Sequence, residues 1–274
     1  MKLQTVWAVY FSGTGTTEKI VTTVASAIAE RLQLPCQTLD FTPPAARERS
    51  YTFAAGDLVI LGTPVIAGRV PNVLLPFLTG HVQAEHALAV PVVLYGNRNF
   101  DDALIELREI LETDGFRTVA GAAFIGEHSF SRVLGAGRPD TDDLAKAAGF
   151  AGQVAEKITA LETLPEAPVP VKGTLPLRPY YTPRDRNGVS INILKVKPKT
   201  SDACTHCGRC AEVCPMGSIS KEDPTQVPGI CIKCCACVKK CPVGAKCYDD
   251  DGYLYHQHEL EELYARRAEP EWFL

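Results

Sequence analysis

TVWAVYFSGTGTTEKI, residues 5–20, changes character twice. Thr5 to Phe11 is an unbroken run of aliphatic, β-branched and aromatic residues, the pattern of a strand buried on both faces. SGTGTT (12–17) follows, a turn of small hydroxylated residues, and after it Ile20, Val24, Ile28 and Leu32 recur at helical spacing. A strand that passes into a helix through such a turn aims backbone N–H groups and the helix dipole at one point, and that point attracts an anion. Gly13 and Gly15 let the backbone close on a phosphate, and the hydroxyls of Ser12, Thr14, Thr16 and Thr17 can donate to it. No lysine stands at the P-loop position and GTGTTE does not complete GxGxxG, which weakens the nucleoside triphosphate and dinucleotide readings.

Outward from this turn, DLVILGT (57–63) and ALAVPVVLYG (87–96) read as two more buried strands and TVAGAAFIGE (118–127) as a fourth. Residues 71–80, 101–114 and 141–162 read as helices. DDALIELREILETDG (101–115) opens on acids and closes on glycine, as a helix favours. Strands alternating with helices predict a parallel sheet with helices on both faces.

The cysteines divide the chain. Of eleven, one (Cys36) precedes residue 204 and ten lie between 204 and 247. PEAPVPVKGTLPLRPYYTPRDRNG (165–188), rich in proline and turn residues, separates the parts. The predicted organisation is an α/β domain over 1–164, an extended linker over 165–199, and a cysteine-rich domain with a C-terminal helix over 200–274. Trp272 and Phe273 at the end are expected to pack on the protein.

CTHCGRCAEVCP (204–215) and CIKCCACVKKCP (231–242) both contain C-x2-C-x2-C-x3-C followed by proline, the bacterial signature of a cubane iron–sulfur cluster. In two-cluster ferredoxins the fourth cysteine of each run serves the other cluster. One cluster is then expected on Cys204, Cys207, Cys210 and Cys241, the other on Cys231, Cys234, Cys237 and Cys214. Zinc sites usually take two CxxC pairs rather than two such runs. Cys235 falls outside the register. It, Cys36 and Cys247 are expected to act as buried small hydrophobes.

The hydroxyl-rich, uncharged loop 12–17 resembles the FMN-phosphate loop of flavodoxins. With the cysteine runs, the whole chain resembles the flavodoxin–ferredoxin fusion family, over roughly residues 3–160 for the flavodoxin part and 200–247 for the ferredoxin part. That resemblance implies a doubly wound flavodoxin-like sheet of order 2-1-3-4-5, a small α+β two-cluster ferredoxin domain, and FMN beyond the carboxyl ends of the strands. Two loops would grip the flavin ring: Thr63, Pro64, Val65, Ile66, Ala67, Gly68 and Arg69 in one, Tyr95, Gly96, Asn97, Arg98, Phe100 and Asp101 in the other. The first offers no aromatic residue, and the arginines stand where neutral or acidic groups are usual; a guanidinium beside the pyrimidine edge would stabilise reduced, anionic flavin. His128, in HSFS after the last strand, is a candidate proton donor near the ring.

The function expected is electron transfer between FMN, two [4Fe–4S] clusters and a redox partner, which could be a ferredoxin, a flavoprotein or a reductase. The alternative is a flavin-dependent reductase drawing on NAD(P)H or ferredoxin and acting on a small molecule, and the absence of a dinucleotide fingerprint favours the carrier. A formal charge of −4 gives no nucleic-acid footprint, and no apolar run of 18 residues could span a membrane. MKLQTVWAVYF is too short an apolar stretch for a signal peptide. Eleven cysteines without one predict reduced thiols in the cytosol, and oxygen-sensitive clusters suit an anaerobic setting.

Overall fold

The computed structural model describes residues 2–274. The opening run forms β1 (Thr5–Tyr10), and α1 (Thr16–Leu32) starts directly after Gly15. Gly15 has a φ of 97°, left-handed backbone that a residue with a Cβ resists. There follow β2 (Cys36–Asp40), β3 (Tyr51–Phe53), β4 (Asp57–Pro64), α2 (Leu75–His81), β5 (Val82–Ala84), β6 (Leu88–Tyr95), α3 (Ala103–Thr113), β7 (Arg117–Thr118), β8 (Gly121–Ile125) and α4 (Thr141–Ala160). The three predicted helices fall on α2, α3 and α4; α3 and α4 lie within two residues of their expected ends, while α2 starts four residues later than expected, after a 3-10 turn over Asn72–Leu74. β2 opens on an exposed edge at Cys36, whose surroundings read as strand-like in the sequence.

Strands β2, β1, β4, β6 and β8 lie side by side in that order and all are parallel. Counted along the chain this is 2-1-3-4-5, the flavodoxin-like doubly wound order. Alternation along the strands divides the core. Val6, Ala8, Leu58, Ile60, Val90 and Val92 pack with α1 and α4, while Val9, Val59, Leu61 and Val93 pack with α2 and α3 on the other face. The carboxyl ends of β1, β4, β6 and β8 therefore bring residues 11–15, 65–74, 96–102 and 126–140 to one rim.

The cysteine-rich part holds β9 (Lys199–Thr200), α5 (Arg209–Glu212), α6 (Ala236–Lys239), β10 (Lys246–Cys247) and α7 (Asp251–Leu263). The chain then returns to the first unit. β11 (Glu271–Phe273) pairs antiparallel with β8, Trp272 opposite Ala122, and closes the sheet's edge. Trp272 packs on Phe150 and donates Nε1–H to Gln153 Oε1 at 2.9 Å. Residues 264–274 thus belong physically to the α/β layer, a pairing across more than a hundred residues that no local pattern encodes.

The proline-rich stretch is a strap rather than a free spacer. Buried Asp102 accepts from the N–H of Thr174 and Arg178 and from the Arg178 guanidinium, and Tyr180 donates its hydroxyl to Val70 O at 2.8 Å. These bonds hold the carboxylate of Asp102 well below its ordinary range, the Arg178 contact contributing most. Among the described residues no helix is long and apolar enough to cross a membrane.

Candidate functional site

Three structures make up the candidate site: two cysteine cages and, at the rim, a glycine–threonine loop. The first cage gathers Cys204, Cys207, Cys210 and Cys241 round one cavity, and the second gathers Cys214, Cys231, Cys234 and Cys237 round another. The fourth cysteine of each run thus crosses to the other's cavity. Among the described residues no three His, Cys, Asp or Glu side chains are placed to hold a single metal ion.

The two loops repeat each other in backbone. His206 and Gly208 flank Cys207 with φ of 54° and 75°, and Lys233 and Cys235 flank Cys234 with φ of 57° and 57°. These left-handed pairs turn the chain twice, so that three sulfurs converge while α5 or α6 starts behind them. Backbone N–H groups approach the sulfurs: His206 to Cys204 at 3.4 Å, Ala245 to Cys241 at 3.2 Å, Ser218 to Cys214 at 3.3 Å. Burial pushes the Cys234 and Cys237 thiols up to about 12 and raises Cys210 as well. Burial also acts on Cys241, but backbone N–H groups from Val243 to Lys246 outweigh it and lower that thiol. A metal centre binds thiolates, so assembly of one in the second cage would displace tightly held protons.

Cys235 is 2% exposed and its Sγ lies 3.4 Å from both Lys233 O and Tyr253 Oη, at the edge of the second cavity. Cys36 and Cys247 were expected to be buried. Both are exposed, because Cys36 opens the edge strand β2 and Cys247 lies on the two-residue ribbon β9–β10.

The glycine–threonine loop is an anion cradle. Among the described residues no acceptor takes the N–H of Gly13, Thr14, Gly15, Thr16 or Thr17, and the hydroxyls of Thr14, Thr16 and Thr17 make no hydrogen bond. Ser12 is partly committed: its N–H goes to Thr42 Oγ1 at 2.7 Å, and its Oγ accepts the Glu18 N–H at 3.1 Å, capping α1. Its own O–H proton remains to donate. Such a cradle fits the phosphate of FMN.

The ring loops are held by the rest of the chain. Arg69 forms a bidentate pair with Glu106, donates to Arg178 O and lies 4.9 Å over the Tyr180 ring. Arg98 pairs with Asp101 and lies 4.5 Å over Tyr181. Both guanidiniums therefore already have protein partners. Ile66 and Arg69 exchange backbone bonds in a tight turn, Ala67 O accepts from Tyr181 N–H at 2.8 Å, and Gly68 O accepts from Asp102 N–H. Pro64 ends β4, and Val65 gives its N–H to Leu94 O. Asn97, 1% exposed, is bound through its amide to the backbone of Tyr264, Arg266 and Ala268. Tyr95 and Phe100 are buried and pack on each other. What remains for a ligand is backbone: among the described residues the N–H groups of Gly96, Asn97, Arg98, Asn99 and Phe100 have no acceptor. The Oγ1 of Thr63 is also buried without a partner. Donors of this kind suit the carbonyl edge of a flavin.

His128 packs directly on Gly96, where a Cβ would come within 2.3 Å of its ring. Its Nδ1 accepts the Phe130 N–H at 3.1 Å, and burial, with Lys239, His256 and Arg98 behind it, lowers its pKa to about 3. It is a neutral imidazole at neutral pH, poorly suited to giving a proton away.

The second cage touches this rim and the first does not share that contact. A Cβ built on Gly13 would stand 3.3 Å from Cys234 Sγ, and Ile232 packs into the core on the α2–α3 face. Lys239 donates to Glu127 Oε1, His128 O and Ser131 O, and Arg47 reaches Pro215 O at 2.5 Å. Behind the cage, Tyr248 and Tyr253 stack at 4.2 Å, and Tyr253 meets Phe130 at 4.6 Å. None of these contacts was read from the sequence. The aromatic spacing in CYDDDGYLYHQHEL (247–260) was their single trace there.

A family model described as "4Fe-4S binding domain" matches residues 198–220. Among solved structures, the chain is similar to a flavodoxin from the domain Archaea, at 13% identity and TM-score 0.43, over 57% of this chain and 99% of that one. It is similar to a Streptococcus pneumoniae TIGR4 flavodoxin at 18% identity and TM-score 0.38, over 56% and 99%. It is also similar to the rubredoxin oxygen:oxidoreductase of Desulfovibrio gigas at 16% and 0.43, over 58% of this chain and 37% of that one. No curated protein matches it. The chain joins a flavodoxin-like α/β unit to a unit with a 4Fe–4S-binding segment.

Proposed function

We propose that the chain is an electron-transfer protein carrying FMN and two [4Fe–4S] clusters, which relays electrons between them and a redox partner protein in the cytosol. The observation that carries this reading is the shared wall between cradle and cage: Gly13 of the phosphate loop lies against Cys234 of the second cage. With Cys234 as a cluster ligand and the loop as a phosphate site, this contact would set two redox centres side by side, where a spacer between independent modules would have kept them apart.

In this reading Thr14, Thr17 and the N–H groups of residues 13–17 hold the phosphate, and the N–H groups of Gly96 to Phe100 face the ring. FMN, once bound, supplies the step between paired and single electrons. Cys204, Cys207, Cys210 and Cys241 hold the outer cluster; Cys214, Cys231, Cys234 and Cys237 hold the inner. Domain bounds of 1–164, 165–199 and 200–274 describe the chemistry, with the last residues lent back to the sheet. The strap and α7 reach the rim at Tyr181 and His256, whose rings stack 6.0 Å apart, and this cover favours internal electron exchange over an external hydride donor.

The test is anaerobic titration of the protein reconstituted with iron, sulfide and FMN, following flavin and cluster absorbance. Reduced ferredoxin should reduce both kinds of centre. Rapid stoichiometric reduction of flavin by NAD(P)H alone would replace the carrier with a reductase. Thr14→Val or Thr17→Val should weaken FMN by about 1–3 kcal/mol, as expected when a buried acceptor loses its donor. Unchanged flavin affinity in both variants would remove the phosphate assignment.

A further inference from the structure

Only the second cage has a side-chain hydroxyl on a ligand sulfur among the described residues. Tyr248 Oη lies 3.3 Å from Cys231 Sγ. The first cage receives backbone N–H groups alone, at Cys204 and Cys241. The proposed electron route does not use Tyr248.

We propose that Tyr248 is a positioning residue of the inner cluster, donating its O–H to Cys231 and thereby raising that cluster's reduction potential selectively. The proposal rests on the reading of Cys231 as a cluster ligand. A ligand thiolate carries no proton, so between the two groups the hydroxyl is the donor. With a cluster bound and reduced by an external one-electron donor, the Cys231 sulfur would be more electron-rich and the O–H···S bond from Tyr248 would strengthen. The reduced form is stabilised more than the oxidised one, and the tyrosine proton does not move. Hydrogen bonds to cluster sulfurs are among the established determinants of cluster potential.

The geometry fixes the donor. The Tyr248 ring lies nearly flat on Tyr253, 15° between planes, and Tyr253 is 1% exposed with its own hydroxyl taken by Cys235. Next to Tyr248 in the chain, Cys247 is paired with Lys199 in the β9–β10 ribbon. The side chain therefore cannot swing its O–H elsewhere without breaking a stack. Tyr253 supplies an internal control: it has the same ring, packed in the same place, but its hydroxyl meets a sulfur outside the ligand register.

The experiment is a dithionite redox titration of the reconstituted full-length chain, followed by EPR, for wild type, Tyr248→Phe and Tyr253→Phe. Signals are assigned with Cys241→Ala, which keeps all four ligands of the inner cage. Tyr248→Phe should lower the inner midpoint by about tenfold in the reduction equilibrium, ~59 mV for a one-electron couple, with the outer midpoint and iron content unchanged. Tyr253→Phe should leave both midpoints in place. Unmoved midpoints in Tyr248→Phe overturn the proposal. An equal shift in Tyr253→Phe also overturns it, since packing and not the O–H would then set the potential. Loss of iron in Tyr248→Phe would make the residue a structural prop and overturn tuning. A wild type holding about four irons, one cubane's worth, would strike down the two-cluster reading itself, an outcome the midpoints cannot mimic.

Discussion

The two cysteine loops share one backbone and live in different surroundings. In the first, Cys207 and His206 are exposed and the flanking left-handed position is a glycine. In the second, the equivalent position is Cys235, buried against tyrosines, and the neighbouring Cys234 touches the flavodoxin-like unit. A repeated loop placed once in solvent and once at an interface shows which residues serve the fold of the cage and which serve its location. Spacing and φ angles are common to both loops. The aromatic stack, the Lys239 clamp and the Gly13 contact belong to the inner one alone.

The largest effect should come from breaking the exchange of ligands between the loops. Cys214→Ala should empty or degrade the inner cage and leave the outer, while Cys241→Ala does the reverse. Each variant should fall from about eight irons to about four, two cubanes to one, on iron analysis after anaerobic reconstitution. EPR then shows which signal survives. If Cys214→Ala removes the signal that Cys207→Ala also removes, each run closes its own cage and the crossing is wrong.

Acid should next distinguish the inner cage's interface from the outer cage's surface. Burial lowers His128 to about 3 and His256 to about 4; His128 packs edge-on to Phe130, and His256 meets both Phe130 and Tyr181. A folded-state pKa below the unfolded value means that the unfolded chain binds more protons between the two. Stability from these groups is therefore full above about 6.5, the ordinary histidine value, and is lost as pH falls through the folded values. Protonating Nδ1 of His128 would also destroy the bond it accepts from Phe130. Denaturant unfolding between pH 7.5 and 5 should show a falling midpoint, and His128→Gln should flatten that slope. An unaltered slope would place the acid sensitivity elsewhere.

Much of this was legible in one dimension because the signals were local. TVWAVYF, the turn after it and the doubled C-x2-C-x2-C-x3-C spacing each encode their geometry within a few residues. The site's enclosure was not legible, because its parts are far apart in sequence. Arg69 meets Glu106 and the strap, Asn97 meets the backbone of Tyr264 to Ala268, and Trp272 meets Gln153. Arg69 and Arg98 drew notice as charges beside a flavin loop; a sequence shows the charge but not the carboxylate or carbonyl that takes it. His128 drew notice for its chemistry, and burial against Gly96 removed the proton that made it interesting. Cys235 drew notice for breaking a register, and its explanation lies in the other loop.

The smallest and sharpest test concerns that residue. Cys235 stands where the first loop has Gly208, both left-handed, and a residue with a Cβ pays roughly 1 kcal/mol for that backbone. Gly208 has nothing within 4 Å of a built Cβ, so Gly208→Ala reads the backbone cost alone, about 1 kcal/mol. Cys235→Gly removes the strain but also a buried small side chain worth roughly the same, so the two should nearly cancel. Cys235→Ala keeps the strain and loses the sulfur, and should be the less stable of the two variants. None of the three removes a ligand, so each should retain about eight irons. Thermal or denaturant midpoints of the reconstituted proteins give the order: wild type and Cys235→Gly together, Cys235→Ala below them. A neutral Gly208→Ala would mean that left-handed backbone costs nothing in these loops. A Cys235→Gly protein that lost four irons would make Cys235 a ligand, and the register of the second run would then shift by one residue.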